Sequence, residues 1–125
     1  MKNILFVALV AILFSSCYND KADKLYPQPV VTTCDTSAPT YSLVVKPIIT
    51  ANCALSGCHD GTSGVAFQTL GTSYNGLKIT VNNGQLLQSI NHTGGLSVMP
   101  KNAAKLSDCD ISKITAWVNA GAQDN

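Results

Sequence analysis

Apolar side chains divide the chain into a leading apolar run, a long polar stretch and a patterned remainder. Ile4 to Phe14 is almost wholly apolar behind Lys2 and Asn3, and it gives way at Ser15-Ser16-Cys17. The run has roughly half the ~20 residues that a membrane-spanning helix needs, so it predicts a cleaved targeting segment over 1–16 and not a permanent span. Residues 17–40 hold Pro27, Pro29 and Pro39 among Asp, Lys, Ser and Thr. Without a period that would bury a face, they predict a flexible tether. From Tyr41 the pattern turns helical: Leu43, Val44, Val45, Ile48 and Ile49 fall mostly on one face, predicting a short helix over roughly 43–52. Pro47 limits where that helix can start, or bends it.

Residues 60–97 are rich in Gly, Ser, Thr and Asn. Within them, short helices are expected over about 70–74 and about 83–91, the second because Leu86, Leu87 and Ile90 recur at helical spacing. The closing segment is the clearest helix. Ser107 offers a side-chain cap with Asp110 three residues on, and Ile111, Ile114, Trp117 and Val118 line one face before Gly121 ends it. Trp117 is expected to pack against the first helix, the alternative being the edge of a bound group. Short helices joined by long irregular loops make an all-α domain over 41–125, poor in side chains with which to fill its own centre.

Composition narrows the function classes. The roughly 110 residues left after cleavage suffice for one small domain. Eight Lys stand against seven Asp, with no Arg or Glu, for a net charge of +1. That balance gives no cationic surface for nucleic acid. Lys101 and Lys105 are a candidate positive rim for an acidic redox partner, or ordinary solvated side chains. No Ser-His-Asp arrangement, no pair of carboxylates for acid/base hydrolysis and no phosphate-binding Gly loop stands out.

The candidate chemistry lies in Cys53-Ala54-Leu55-Ser56-Gly57-Cys58-His59. Two thiols followed at once by an imidazole are how a chain holds haem covalently, the thiols adding to the porphyrin vinyl groups and the His taking the iron. The best-known version has two residues between the cysteines; here there are four. Gly57, Gly61 and Gly64 let the backbone turn tightly or approach a flat ligand. Val98-Met99-Pro100 offers a thioether for the other face of the iron. His92 is the rival ligand, and its alternative roles are a plain loop residue or a hydrogen-bond donor to a haem propionate.

Cysteine arithmetic completes the picture. Leu13-Phe14-Ser15-Ser16-Cys17 resembles a lipoprotein processing site, which would leave Cys17 as a lipid-modified N-terminus; ordinary secretion with Cys17 incidental is the alternative. Either way the mature chain leaves the cytoplasm for an exported location, in which disulfides persist. With Cys17 acylated and Cys53 and Cys58 carrying haem, Cys34 and Cys109 remain as a candidate disulfide, or as two free buried thiols. A different class stays open, in which Cys53 and Cys58 close a small disulfide loop in a haem-free envelope module.

The apolar helix into Cys-x4-Cys-His, the Gly-rich middle, Met99-Pro100 and the closing Ile114-x-x-Trp117-Val118-x-x-Gly121-Ala122 together resemble the small single-haem class I cytochrome c domains of exported lipoproteins, over residues 41–122. The resemblance implies an all-α fold in which first and last helices cross, one covalent haem c on Cys53 and Cys58, and iron ligation by His59 and Met99. It implies electron transfer to a redox protein partner at a membrane of the cell envelope, on its non-cytoplasmic side, and not enzymatic turnover. An open distal site would instead imply ligand sensing or peroxidase-like chemistry. The extra residues demand a looped-out Leu55-Ser56-Gly57 if both thioethers form.

Overall fold

The computed structural model describes residues 33–125. The expected targeting segment, Cys17 and the tether up to Thr32 lie outside the described residues. Within them the protein is all-α, with four α-helices and no strand. A π-helical turn, Tyr41–Val45, runs into α1, Lys46–Cys53; α2 is Tyr74–Asn82, α3 Gln85–Asn91 and α4 Asp108–Asn119. No described helix is long and apolar enough to cross a membrane.

Pro47 explains the mixed character of the first helix. It has no N–H, and its ring collides with the carbonyl four residues back, so a regular α-turn cannot pass through it. The chain opens a wider turn first: the Val45 N–H reaches the Thr40 carbonyl at 3.1 Å, and Thr40 caps the turn through its side chain. The α-helix then starts with Pro47 in its first turn, where the missing donor has no intrahelical partner to lose. Tyr41, Val45, Ile49 and Cys53 come out on the buried face, one every fourth residue.

The helix expected over 70–74 is not there. Leu70 is buried inside an irregular turn, and α2 begins only at Tyr74, where the Ser73 hydroxyl accepts from the Gly76 N–H. Its buried face is Gly76, Leu77 and Thr80, and the β-branched run Ile79-Thr80-Val81 has modest helix propensity. The cap and the packing decide this helix, with little help from periodicity. The helix expected over 83–91 is present as α3, two residues shorter at its start, because Asn83 and a left-handed Gly84 make the corner between α2 and α3.

The closing helix follows its sequence signals. Ser107 accepts from the Asp110 N–H at 3.0 Å, and its hydroxyl donates to the Asp110 carboxylate at 2.8 Å. Ile111, Ile114 and Trp117 are buried, with Val118 half-buried beside them. At the far end the Ala122 N–H bonds the Trp117 carbonyl and the Gly121 N–H bonds the Val118 carbonyl, the paired closure that needs a left-handed residue; Gly121 supplies it at φ +96°.

Trp117 takes the expected position against the first helix. Its ring centroid lies 5.9 Å from that of Tyr41, which in turn meets Tyr74 edge-on at 5.1 Å. Offset and edge-on aromatic pairs of this kind add to the area they bury. The indole N–H donates to the Gln123 carbonyl at 2.9 Å, so its polar end is satisfied. Lys78 and Tyr74 of α2 donate to the Ala122 carbonyl, and Lys78 also to that of Gly121. The end of α4 is thus tied to α2.

Cys34 and Cys109 form a disulfide with Cα atoms 5.5 Å apart, across a sequence separation of 75. The bond pins the segment ahead of the first helix to the first turn of α4. Loop-closure entropy gives it up to about 4 kcal/mol, a large share of the roughly 5–15 kcal/mol by which a domain is stable. Replacing both cysteines by Ser should lower the unfolding free energy by up to that amount in denaturant titrations, and an unchanged midpoint would show that the bond is not formed.

Candidate functional site

Four of the residues singled out by the sequence, Cys53, Cys58, His59 and Met99, converge on one cavity. A pocket of about 410 Å³ is lined by Cys53, Cys58, His59 and Met99, with Leu70, Leu86, Ile90, Phe67 and Leu96 making much of its apolar wall. The walls come from the end of α1, the loop that follows it, Thr80 of α2, α3 and the segment before α4. Thr80 is a buried polar group on this wall, and its hydroxyl is satisfied by the Leu77 carbonyl at 2.7 Å. Lys101 is the charged side chain of the lining.

Cys53 is both core and cavity. It ends α1 with 8 % of its surface exposed, and burial, aided by the nearby Cys58, pushes its thiol up to about 11. Cys58 is exposed. Both thiols are free, so the disulfide alternative for this pair is not what the fold contains.

The four intervening residues leave as a loop. The Cys58 N–H bonds the Leu55 carbonyl at 2.9 Å, with Gly57 at φ +78° in the third position of the turn, as a type II turn requires. The His59 N–H then donates to the Cys53 carbonyl at 2.9 Å. Leu55, Ser56 and Gly57 are exposed beyond that closure. Gly61 and Gly64 also take left-handed backbone, at φ +91° and +68°.

His59 is oriented by a partner that sequence reasoning missed. Its Nδ1 lies 3.0 Å from the Phe67 carbonyl. A carbonyl can only accept, so Nδ1 carries the proton and Nε2 keeps its lone pair for a metal. Phe67 sits at φ +56°, a conformation rare for a non-glycine residue and one associated with functional positions. No side-chain signal marks such a role, because a backbone carbonyl performs it.

Met99 is held from two sides. Its N–H bonds the Ser89 carbonyl of α3 at 3.1 Å, and its carbonyl accepts from His92 Nε2 at 3.1 Å. His92 follows α3 in left-handed backbone at φ +61° and is not part of the cavity lining. Of the two distal candidates, only Met99 reaches the cavity wall.

Asp60 was not singled out in the sequence, although Asp-Gly-Thr-Ser is a pattern in which a carboxylate caps its own loop. It accepts from the N–H groups of Thr62, Ser63 and Gly57 at 2.9, 3.0 and 3.3 Å. Those bonds, that from Thr62 foremost, hold its pKa down at about 2.

Among the described residues no three His, Cys, Asp or Glu side chains gather into a site for a bare metal ion. The donor set instead suits a flat ligand that brings its own metal: two thiols for covalent attachment, a free imidazole nitrogen, a thioether and an apolar wall. Comparison with known protein families, curated proteins and solved structures finds no match to this chain.

The two thiols should differ sharply in reactivity. In the haem-free folded chain near neutral pH, an alkylating reagent should consume Cys58 well before Cys53, which is buried and short of thiolate. Peptide mapping over a time course checks this, and equal rates would contradict the burial of Cys53.

Proposed function

We propose that the chain is a membrane-anchored electron-transfer protein of the class I cytochrome c type, carrying one covalent haem c with His59 and Met99 as axial ligands. The observation that carries this reading is the convergence of Cys53, Cys58, His59 and Met99 on one largely apolar cavity. Met99 comes to the wall that Cys53, Cys58 and His59 share from forty residues further along the chain, and nothing in ordinary core packing asks for two free thiols, an oriented imidazole and a thioether at the same wall.

When bound there, haem supplies a one-electron ferric/ferrous couple. The chain's residues do the rest. Cys53 and Cys58 supply the sulfurs for attachment. His59, tied by Nδ1 to the Phe67 carbonyl, offers Nε2 in a fixed direction, and Met99, tethered to Ser89 and His92, offers its sulfur. Leu70, Leu86 and Ile90 exclude water from the cavity and lower its dielectric, which disfavours the more highly charged ferric state. With His59 and Met99 both holding the iron, no place would be left on it for a substrate, and the protein would act as a carrier and not as an enzyme. The exposed margin of Leu55, Val65 and Phe67, with Lys101 nearby, suits brief contact with a redox protein partner. Acylation of Cys17 would hold the domain at a membrane of the cell envelope, on its non-cytoplasmic side.

The decisive experiment is haem staining after denaturing electrophoresis. Protein produced in a host able to attach haem should keep its stain; a colourless band would overturn this reading and leave a haem-free envelope module.

Replacing Met99 with Ala should remove the weak near-infrared sulfur-to-ferric-iron absorption, lower the reduction potential and let added cyanide or carbon monoxide bind. An unchanged spectrum in that variant, with collapse on replacing His92, would transfer the distal role to His92. An iron already open in the unaltered protein would replace electron transfer by sensing or peroxidase-like chemistry.

A further inference from the structure

The loop between the two thiols raises a question that the haem reading does not answer: what lets a four-residue spacing do the work of two? The base of the loop is closed by the His59 N–H on the Cys53 carbonyl, and its tip by the Cys58 N–H on the Leu55 carbonyl. Between these, one side chain reaches both ways along the backbone. Asp60 Oδ2 accepts from Gly57, inside the insertion and just before Cys58; Asp60 Oδ1 accepts from Thr62 and Ser63, beyond His59. The Ser63 hydroxyl, placed by that turn, donates to the Cys58 carbonyl. The backbone on both sides of Cys58-His59 is therefore gathered onto a single carboxylate.

The geometry points to Asp60 as the positioning residue that fixes the Leu55-Ser56-Gly57 turn at the rim of the cavity, where Leu55 and Gly57 join its lining, so that Cys58 meets the same cavity as Cys53 and both thiols can be attached. This rests on the haem reading above. Without the clamp the insertion is held only by its two backbone closures, it samples more conformations, and the second thiol is less firmly fixed beside the first. In the attachment step itself the thiol adds across a vinyl double bond: an S–C bond forms, the C=C π bond is consumed, and the thiol proton goes to the neighbouring carbon. Nothing leaves, and no external oxidant enters. Asp60 takes no part in that bond-making; it sets where Cys58 stands when it occurs.

The test uses the full chain, expressed in a host that attaches haem, with attachment read as the mass of the proteolytic haem-peptide and as the visible band of the pyridine adduct, which shifts when a vinyl group is left unreacted. The unaltered chain should give two thioethers. Asp60→Ala should give mostly singly attached haem on Cys53, with Cys58 open to alkylation. Asp60→Asn keeps one accepting oxygen and puts a donating NH2 where the other stood, so it holds only one end of the clamp and should give more double attachment than Asp60→Ala but less than the unaltered chain. Deleting Ser56 and Gly57 from the Asp60→Ala chain, which shortens the spacing to two residues, should restore it.

Full double attachment in Asp60→Ala would overturn the proposal, as would single attachment in the unaltered chain. So would failure of the shortened chain to recover, since Asp60 would then be supporting the fold at large. A colourless unaltered chain would sink the haem reading and this role with it, which separates that failure from a haem-bearing chain that ignores Asp60.

Discussion

The 2.9 Å hydrogen bond from the His59 N–H to the Cys53 carbonyl joins the packed core to the cavity. Cys53 is the last residue of α1 and a member of the core, in register with Tyr41, Val45 and Ile49. Its carbonyl is one of those that a helix end leaves without an intrahelical donor. By taking that donor from His59, the chain satisfies the helix end and brings the imidazole back to the thiol it left six residues earlier. The position of His59 then inherits the rigidity of α1, which the aromatic contacts around Trp117 hold in place.

That rigidity has its source at the opposite end of the chain. The turn after α4 presents the Gly121 and Ala122 carbonyls to Lys78 and Tyr74, while Tyr41 packs against both Tyr74 and Trp117. α2, the π-helical turn and the end of α4 are linked through three aromatic rings and a few directed hydrogen bonds. The domain can then leave its other side as a cavity, where the side chains of α3 meet the loops that carry the candidate ligands.

What could be read in advance follows from how local each determinant is. α4 was legible because its cap, its apolar stripe and its terminating glycine all lie within fifteen residues. The Cys-x4-Cys-His run was legible for the same reason, and its Leu55-Ser56-Gly57 stretch forms an exposed turn that closes back on Cys53. α2 was misplaced because Leu70, the strongest apolar signal nearby, is buried by a turn, whereas the helix rests on the Ser73 cap and a face built from glycine, leucine and threonine. Phe67 could not have been found, since its contribution is a carbonyl aimed by its backbone. His92 was weighed as a ligand from its chemistry, but the left-handed residue ending α3 turns it onto the Met99 backbone, and only the folded chain decides that direction.

The disulfide also sets how the domain bears load. A chain held at a surface is pulled along its backbone whenever the domain moves, and without a crosslink that tension would pass straight into the π-helical turn and α1, the helix that ends at Cys53. The bond between Cys34 and Cys109 intercepts it. Force arriving ahead of Cys34 is passed to the first turn of α4, and the stretch from Asp35 to Thr40 is bypassed before the packed turn at Tyr41. The helix that carries the first thiol is thereby mechanically isolated from the end by which the protein would be held.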